Sequence, residues 1–181
     1  MGEAKGRWLL RGAVVVVALV VALIAWRTRG DDGEEGPAVE ETTSRIVSAR
    51  ELSDVVSATG HPVYWAGPIP DTTLAVSEGP EGNVQVRYLD DESELEGEGG
   101  ENLTIGSYPL PDPATASATL ALSPGAIVKR SRQGIELVTT EENPDSVYFA
   151  SPDDTVQVEV YDPSPKRAMA LARSGRVAPV G

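Results

Sequence analysis

The chain has 181 residues, of which 28 are acidic and 15 are basic, and its formal net charge at pH 7 is −13. This length allows one modest domain with additional segments. The chain contains no cysteine and one histidine, so its own residues cannot build disulfides, cysteine nucleophiles, thiolate metal sites or a histidine metal cluster. Nucleic-acid phosphates need a basic face, so this charge also argues against DNA or RNA as a partner.

An apolar segment near the amino terminus predicts a transmembrane helix over residues 8–26, after a short cytoplasmic tail of residues 1–7. At about 1.5 Å per residue this helix would span roughly 28 Å, close to the hydrocarbon thickness of a bilayer. Trp8 and Trp26 stand at its two ends, where interfacial aromatic residues are enriched. A cleaved signal peptide is the alternative, but a cut after Ala25 would place a leucine where a small residue is needed.

The residues around this helix predict where the rest of the chain lies. Lys5, Arg7 and Arg11 precede the apolar core at residues 12–26, and only Arg27 and Arg29 follow it closely, which favours a cytoplasmic amino terminus at the cell membrane. Residues 27–43 are polar, charged and punctuated by glycine and proline, which predicts a disordered acidic linker. Residues 44–179 then form an extracytoplasmic domain. The first predicted partner is therefore the lipid bilayer, through residues 8–26.

The first helix of this domain is marked at both ends. Ser48 followed by Glu51 forms a capping box, which predicts a helix that begins at the next residue. Gly60 suits the left-handed position that closes a helix, and Pro62 prevents continuation.

Short apolar runs separated by turn residues predict the strands. The segment GPEGN, residues 79–83, predicts a hairpin turn. A second helix is predicted within residues 111–125, where Asp112 suits the cap and Pro113 the first turn. A third is predicted over residues 165–174. The predicted strands are residues 63–66, 72–78, 84–89, 103–108, 126–130, 135–139, 146–150 and 155–161. Together these elements predict an α+β fold with antiparallel β-sheet and about three helices.

Alternation within two of these strands predicts which side chains face the core. In the last strand Val156, Val158 and Val160 alternate with Gln157 and Glu159, which is typical of a half-buried strand. The strand over residues 84–88 alternates in the same way, with glutamine and arginine on its predicted solvent side.

Two segments of the chain echo each other. VYWAGP at residues 63–68 is matched by VYFASP at residues 147–152, and each is followed by Asp-Thr and an alternating strand. The echo predicts either a two-fold internal repeat or the same turn chemistry used twice.

The stretch HPVYWAGP supplies the candidate site. His61 with Tyr64 and Trp65 could form a ligand pocket, or the aromatic side chains could be core residues. Alternation places Trp65 and Phe149 as paired core positions, and leaves Tyr64 and Tyr148 as an exposed aromatic binding surface. The sequence therefore predicts binding residues Tyr64, Tyr148 and His61. A lone histidine lacks the partners of a catalytic triad, so no catalytic residue, metal ligand or cofactor is predicted.

Charged segments outside this stretch are further candidate sites. The acidic run at residues 90–101 could bind Ca²⁺, but it lacks the spacing of an EF-hand and is predicted to be a solvated loop. Several basic residues could meet anionic lipid or a wall polymer, or could be ordinary surface charge. These residues are Lys129, Arg130, Arg132, Arg173 and Arg176.

The phrases HPVYWAGP, VYFASP and VQVEVYDPSP resemble a group of uncharacterised, single-pass membrane-anchored proteins of high-GC Gram-positive bacteria. The resemblance covers roughly residues 50–178. It implies a membrane location and a shared domain, and it implies no activity, cofactor or functional residue.

Three functions are consistent with this layout. The first is a non-enzymatic, membrane-tethered module of the cell envelope that binds an envelope protein or polymer, or stabilises an assembly. The second is a carrier domain for an apolar or lipid-like ligand, which would need an apolar pocket between the sheet and the helices. The third is an envelope hydrolase that uses aspartate and glutamate, which would need two carboxylates that converge in a cleft.

Overall fold

A computed structural model of the chain describes residues 44–96 and 101–181. The predicted cytoplasmic tail, transmembrane helix and linker, residues 1–7, 8–26 and 27–43, lie outside the described residues. Within residues 44–96 and 101–181 no helix has the length and apolar character needed to cross a membrane.

The described residues form an α+β domain with three helices and ten strands. The helices are α1 (Ala49–Thr59), α2 (Pro113–Ala121) and α3 (Pro165–Ser174). The strands are β1 (Ser44–Val47), β2 (Tyr64–Trp65), β3 (Thr73–Glu78), β4 (Val84–Leu89), β5 (Leu103–Pro109), β6 (Ala126–Arg130), β7 (Glu136–Thr140), β8 (Ser146–Phe149), β9 (Val156–Tyr161) and β10 (Ala178–Pro179). Two short 3₁₀ turns lie at Pro80–Gly82 and Glu92–Glu96.

The predicted helix ends are confirmed by their hydrogen bonds. At the start of α1 the Glu51 N–H donates to Ser48 Oγ at 3.2 Å, and the Ser48 N–H donates to Glu51 Oε2 at 2.7 Å. Gly60 closes α1 with φ 71°, in the left-handed region where glycine is favoured. At α2 the Thr115 N–H donates to Asp112 Oδ1 at 2.9 Å, as the predicted cap requires.

The sequence did not predict two of the strands, and it predicted a third that is longer than the observed one. Strand β1 was assigned to no element by the sequence, and β10 was missed at the other end of the domain. Strand β2 is also shorter than the predicted 63–66. Both missed strands are short and pair with partners distant in the chain, so nothing local marks them. Strands β1 and β10 therefore depend on tertiary contacts.

Eight of the strands form one antiparallel sheet in the order β1-β3-β4-β5-β9-β8-β7-β6. The first half, β3 to β5, and the second half, β6 to β9, each run as successive neighbouring strands, and β5 pairs with β9 where the halves meet. Helix α2 carries the chain from the centre of the sheet to its far edge at β6. The remaining strands, β2 and β10, form a separate two-stranded ribbon.

The main core lies on one face of the sheet, here called the apolar face. It is covered by α1, α3 and the β2–β10 ribbon, and Leu52 and Ala168 of the two helices pack with Val86, Val147 and Val158 of the strands. Helix α2 packs on the opposite face, here called the polar face, where Leu120 contacts Val138 and Tyr148. The sheet is thus covered by helix on both sides.

The polar face corrects a prediction about β9. Alternation predicted a half-buried strand, with Gln157 and Glu159 towards solvent, but all six residues of β9 are buried. Strand β4 shows the same effect, because Arg87 is buried. The alternation itself is correct, since the three valines of β9 do lie in the core. The side that was predicted to face solvent is buried because α2 packs near β9 and the 92–96 turn packs near β4.

The two echoing segments occupy different parts of the fold. Tyr64 and Trp65 form β2 of the ribbon, whereas Val147, Tyr148 and Phe149 lie in β8 of the main sheet. An internal duplication stays a prediction.

A matched pair of leucine substitutions tests the position of the core. Leu52 is 0% exposed and Leu122 is 87% exposed. We expect Leu52→Ala to lower the free energy of unfolding by about 2–5 kcal/mol, because it removes buried methyl groups and leaves a cavity. Leu122→Ala should change it by about 0.5 kcal/mol or less. Urea unfolding of the full chain in uncharged detergent, followed by circular dichroism, measures both values; equal losses would contradict this core.

Candidate functional site

His61 ties the end of α1 to the turn between β3 and β4. Its Nε2 lies 2.7 Å from the Gly82 carbonyl oxygen, and its Nδ1 lies 2.9 Å from the Pro62 carbonyl oxygen. Both contacts join backbone segments, which gives His61 a structural role in this arrangement.

Tyr64 lies in the core of the apolar face and is 4% exposed. Its ring meets Phe149 edge to face, with centroids 6.1 Å apart and planes at 85°. Its hydroxyl donates to Asp154 Oδ2, and its N–H donates to Ser107 Oγ at 2.8 Å. The sequence predicted Trp65 as the core partner of Phe149, and that pairing is wrong because β2 belongs to the ribbon. Trp65 is only partly buried at the edge of the core.

Tyr148 lies on the polar face and is 6% exposed. Its hydroxyl donates to Glu159 Oε1 at 3.0 Å. Tyr64 and Tyr148 are therefore on opposite sides of the sheet, and both are buried. The exposed aromatic surface predicted from these two residues is absent, and the structure does not bring Tyr64, Tyr148 and His61 together.

A buried carboxylate joins three strands on the polar face. Glu159 of β9 accepts a hydrogen bond from the Tyr108 hydroxyl of β5 at 2.8 Å, and another from Ser146 Oγ of β8 at 2.7 Å, in addition to that from Tyr148. A buried carboxylate is costly unless it is hydrogen bonded, and these three hydroxyl groups offset that cost. The sequence missed this cluster because alternation assigned Glu159 to solvent.

Gly106 leaves the space through which the Tyr108 side chain reaches Glu159. It lies opposite Glu159 in the β5–β9 ladder. A Cβ at Gly106 would lie 2.6 Å from atoms of the Tyr108 ring, far inside contact distance. The ring therefore crosses the strand over this glycine to reach the carboxylate on the neighbouring strand.

Gln157 attaches α2 to the same face. It is 1% exposed, and its Nε2 donates to Ser117 Oγ of α2 at 3.1 Å. Its Oε1 has no hydrogen-bond partner within the part of the chain that the structure describes. An unsatisfied buried acceptor costs about 1–3 kcal/mol, so this contact is less favourable than the Glu159 cluster.

The acidic run that was predicted to be a solvated loop begins as an ordered turn. Arg87 donates from Nη2 to the Leu95 carbonyl oxygen at 2.7 Å, across the polar face. Burial lowers the pKa of the Arg87 guanidinium, and the nearby Glu94 charge opposes that shift. No set of three histidine, aspartate or glutamate side chains in residues 44–96 and 101–181 is arranged to hold a metal ion.

A basic cleft lies between the β6–β7 turn and the carboxyl end of α3. It has a volume of about 210 Å³ and is lined by Arg132 of the β6–β7 turn and by Ala170, Arg173 and Ser174 of α3. Arg132 and Arg173 are exposed. Both arginines are among the basic residues that the sequence offered as candidates, but the sequence does not show that they share a cleft.

Comparison with protein-family models, curated proteins and solved structures finds no match to the chain. The polar groups around Glu159 are directed to each other inside the domain. The basic cleft opens to solvent, where a ligand can reach it.

Substitution of Glu159 tests whether the buried cluster stabilises the sheet. We expect Glu159→Ala to cost about 2–4 kcal/mol in unfolding free energy, because three buried hydroxyls lose their acceptor. Glu159→Gln keeps the shape and should cost less. Glu136 forms an exposed ion pair with Arg130, so the control Glu136→Ala should cost about 1 kcal/mol or less. Urea unfolding compares the three variants, and a cost at Glu159 no larger than at Glu136 would refute the role of the cluster.

Stability should fall at alkaline pH because buried tyrosines resist ionisation. Burial raises the pKa of Tyr88 from 10.0 to about 12. Burial, and then Asp154, also raise the pKa of Tyr64. Below pH 10 both phenols are neutral in the folded and in the unfolded chain, so their contribution to the free energy of unfolding is fully present. Between pH 10 and 12 the unfolded chain ionises first, so stability falls as pH rises.

The variant Tyr88→Phe isolates this effect. It removes the phenol, so the loss of unfolding free energy between pH 10 and 12 should become shallower than in the unmodified chain. Urea unfolding at a series of pH values measures the slope. An unchanged slope in the variant would show that Tyr88 does not cause the alkaline loss.

Proposed function

We propose that this chain is a membrane-tethered, extracytoplasmic binding or structural module of the cell envelope and acts without catalysis. One observation carries the non-enzymatic part of the proposal. The side chains that the sequence offers for chemistry bind other parts of the domain: His61 contacts two backbone carbonyls, Tyr64 binds Asp154, and Glu159 is held by three hydroxyl groups. Satisfied polar contacts of this kind make a fold rigid and specific.

The predicted segments before the domain support the tether. Residues 8–26 are apolar over the length of a bilayer, and residues 27–43 are polar and acidic. A flexible linker of this length has an average end-to-end distance of about 20–25 Å. The domain would then work within a few nanometres of the membrane surface.

The interior of the domain supports surface binding over the two alternatives. A carrier needs an apolar cavity between sheet and helices, but that space contains one packed cluster with fully buried Leu52, Val86 and Val158. A hydrolase of the predicted type needs paired carboxylates. Glu159 is instead surrounded by the hydroxyls of Tyr108, Ser146 and Tyr148.

Labelling of single cysteines tests the proposed location, because the chain has no cysteine of its own. Leu122→Cys places a thiol at a highly exposed position of the domain, and Glu3→Cys places one in the predicted cytoplasmic tail. In intact bacteria, a membrane-impermeant maleimide should label Leu122→Cys and should label Glu3→Cys only after lysis. The opposite pattern would overturn the proposed orientation.

The binding part of the proposal needs a separate readout. Gln133→Cys in the β6–β7 turn and Ser57→Cys on α1, both exposed positions, can carry a photoactivatable crosslinker in intact cells. A binding module should give a discrete adduct from one position and not from the other. No adduct from either position would argue for a structural role alone.

A further inference from the structure

We propose that the basic cleft between the β6–β7 turn and the carboxyl end of α3 binds a phosphate group through Arg132 and Arg173. This inference deepens the proposed binding function and rests on it, because it names the chemistry that the module would recognise. The ligand class is a phosphate monoester, carried by a lipid headgroup or by a soluble molecule.

The cleft is held in shape by contacts that do not use the guanidinium groups. The Arg132 N–H donates to the Arg173 carbonyl oxygen at 3.2 Å, which links the turn directly to the helix. Gln133 packs over Gly175, where a Cβ would lie 2.7 Å from its Nε2. Gly175 also has φ 77°, so a side chain there would be strained as well as crowded. The backbones that carry the two arginines are therefore positioned before a ligand arrives.

The charge of the cleft is uncompensated within the described residues. Neither Arg132 nor Arg173 forms an ion pair with a residue in 44–96 or 101–181, whereas Arg130 pairs with Glu136 and Arg167 pairs with Asp162. The acidic side chains closest along the chain, Glu136 and Asp162, are thus already paired. Two like charges that share a cleft repel each other, and an anion between them would remove that repulsion.

The shape and donors of the cleft favour phosphate. Each guanidinium presents a planar fork of N–H donors that matches two oxygens of a phosphate or carboxylate. A carboxylate has two oxygens and is satisfied by one fork, whereas a phosphate monoester has three terminal oxygens and offers them to both forks. A volume of about 210 Å³ suits one such group and is small for a drug-sized ligand. Ser174 Oγ already donates to the Leu171 carbonyl oxygen at 2.7 Å, so the arginines carry the recognition.

The carboxyl end of α3 opposes anion binding, because the last carbonyls carry partial negative charge. That effect at a solvated helix end is smaller than one charge-assisted hydrogen bond, and the cleft offers two arginines. Arg173 in the last turn also offsets the helix dipole directly. The net preference of the cleft is therefore for an anion.

Arginine side-chain NMR tests the site in the full chain, kept in uncharged detergent micelles. Glycerol 1-phosphate is the soluble probe, and micelles doped with short-chain phosphatidic acid supply the lipid form, which carries the same phosphate monoester. We expect saturable shifts of the Nε–Hε signals of Arg132 and Arg173, with little change at Arg50. Arg50 is an exposed arginine on α1, beside the opposite edge strand of the sheet. A response mainly to the lipid identifies a headgroup ligand, and a response mainly to glycerol 1-phosphate identifies a soluble ester; either supports the site.

Substitutions then assign the binding to the cleft. Arg132→Gln and Arg173→Gln should each weaken probe binding about tenfold, the effect expected for the loss of one charged hydrogen-bonded contact. Arg50→Gln removes the same charge and should leave the affinity unchanged. Ala170→Glu places a carboxylate in the cleft at an exposed helix position and should abolish binding without disturbing the core.

Three results would overturn the site: no saturable shift at either arginine, equal shifts at Arg50, or unchanged affinity in both Gln variants and in Ala170→Glu. These results are separable from the failure of the proposed function. Cysteine labelling in cells reports the location of the domain and does not involve the cleft. A domain that faces outward but binds no phosphate would refute the cleft alone, and one that faces the cytoplasm would refute the proposed location alone.

Discussion

The ladder between β5 and β9 is the contact on which the rest of the structure depends. Its six residue pairs run from Thr104 opposite Tyr161 to Pro109 opposite Val156. In the described residues it is the only strand pairing through which the two halves of the main sheet meet. Tyr108 and Glu159, which bond across it, are 51 residues apart in the chain. Closing so long a loop costs more entropy than forming the local hairpins on either side.

The Glu159 cluster makes that ladder specific in register. On one face the ladder presents Val158 and Val160 to the apolar core, and on the other it presents the buried carboxylate to Tyr108. A shift by one residue would exchange the two faces and place an uncompensated carboxylate among the valines. Gly106 completes this arrangement, since the Tyr108 ring occupies the space that any side chain there would need. The cost of burying Glu159 thus excludes the wrong register.

Much of the fold could be predicted because its cues are local. The capping box of Ser48 and Glu51 and the glycine at position 60 predict α1 within a few residues, and the alternation in β9 identifies its core face. The candidate site could not be predicted in the same way. Tyr64 and Tyr148 have similar neighbours in sequence, yet they lie on opposite faces because β2 leaves the main sheet for the ribbon. The burial of Glu159 likewise depends on helix α2 and on strands far from it in the chain.

The sequence by itself determined the helix ends, most strands and the absence of cysteine chemistry. Each of these follows from composition or from interactions between residues a few positions apart. Tertiary structure alone decided that both faces of the sheet are covered, that the candidate tyrosines are buried, and that Arg132 and Arg173 share one cleft. The physical reason is that burial and the proximity of charges arise between elements that only folding brings together. The residues next to a side chain in the chain therefore do not determine whether it is buried or which charges lie near it.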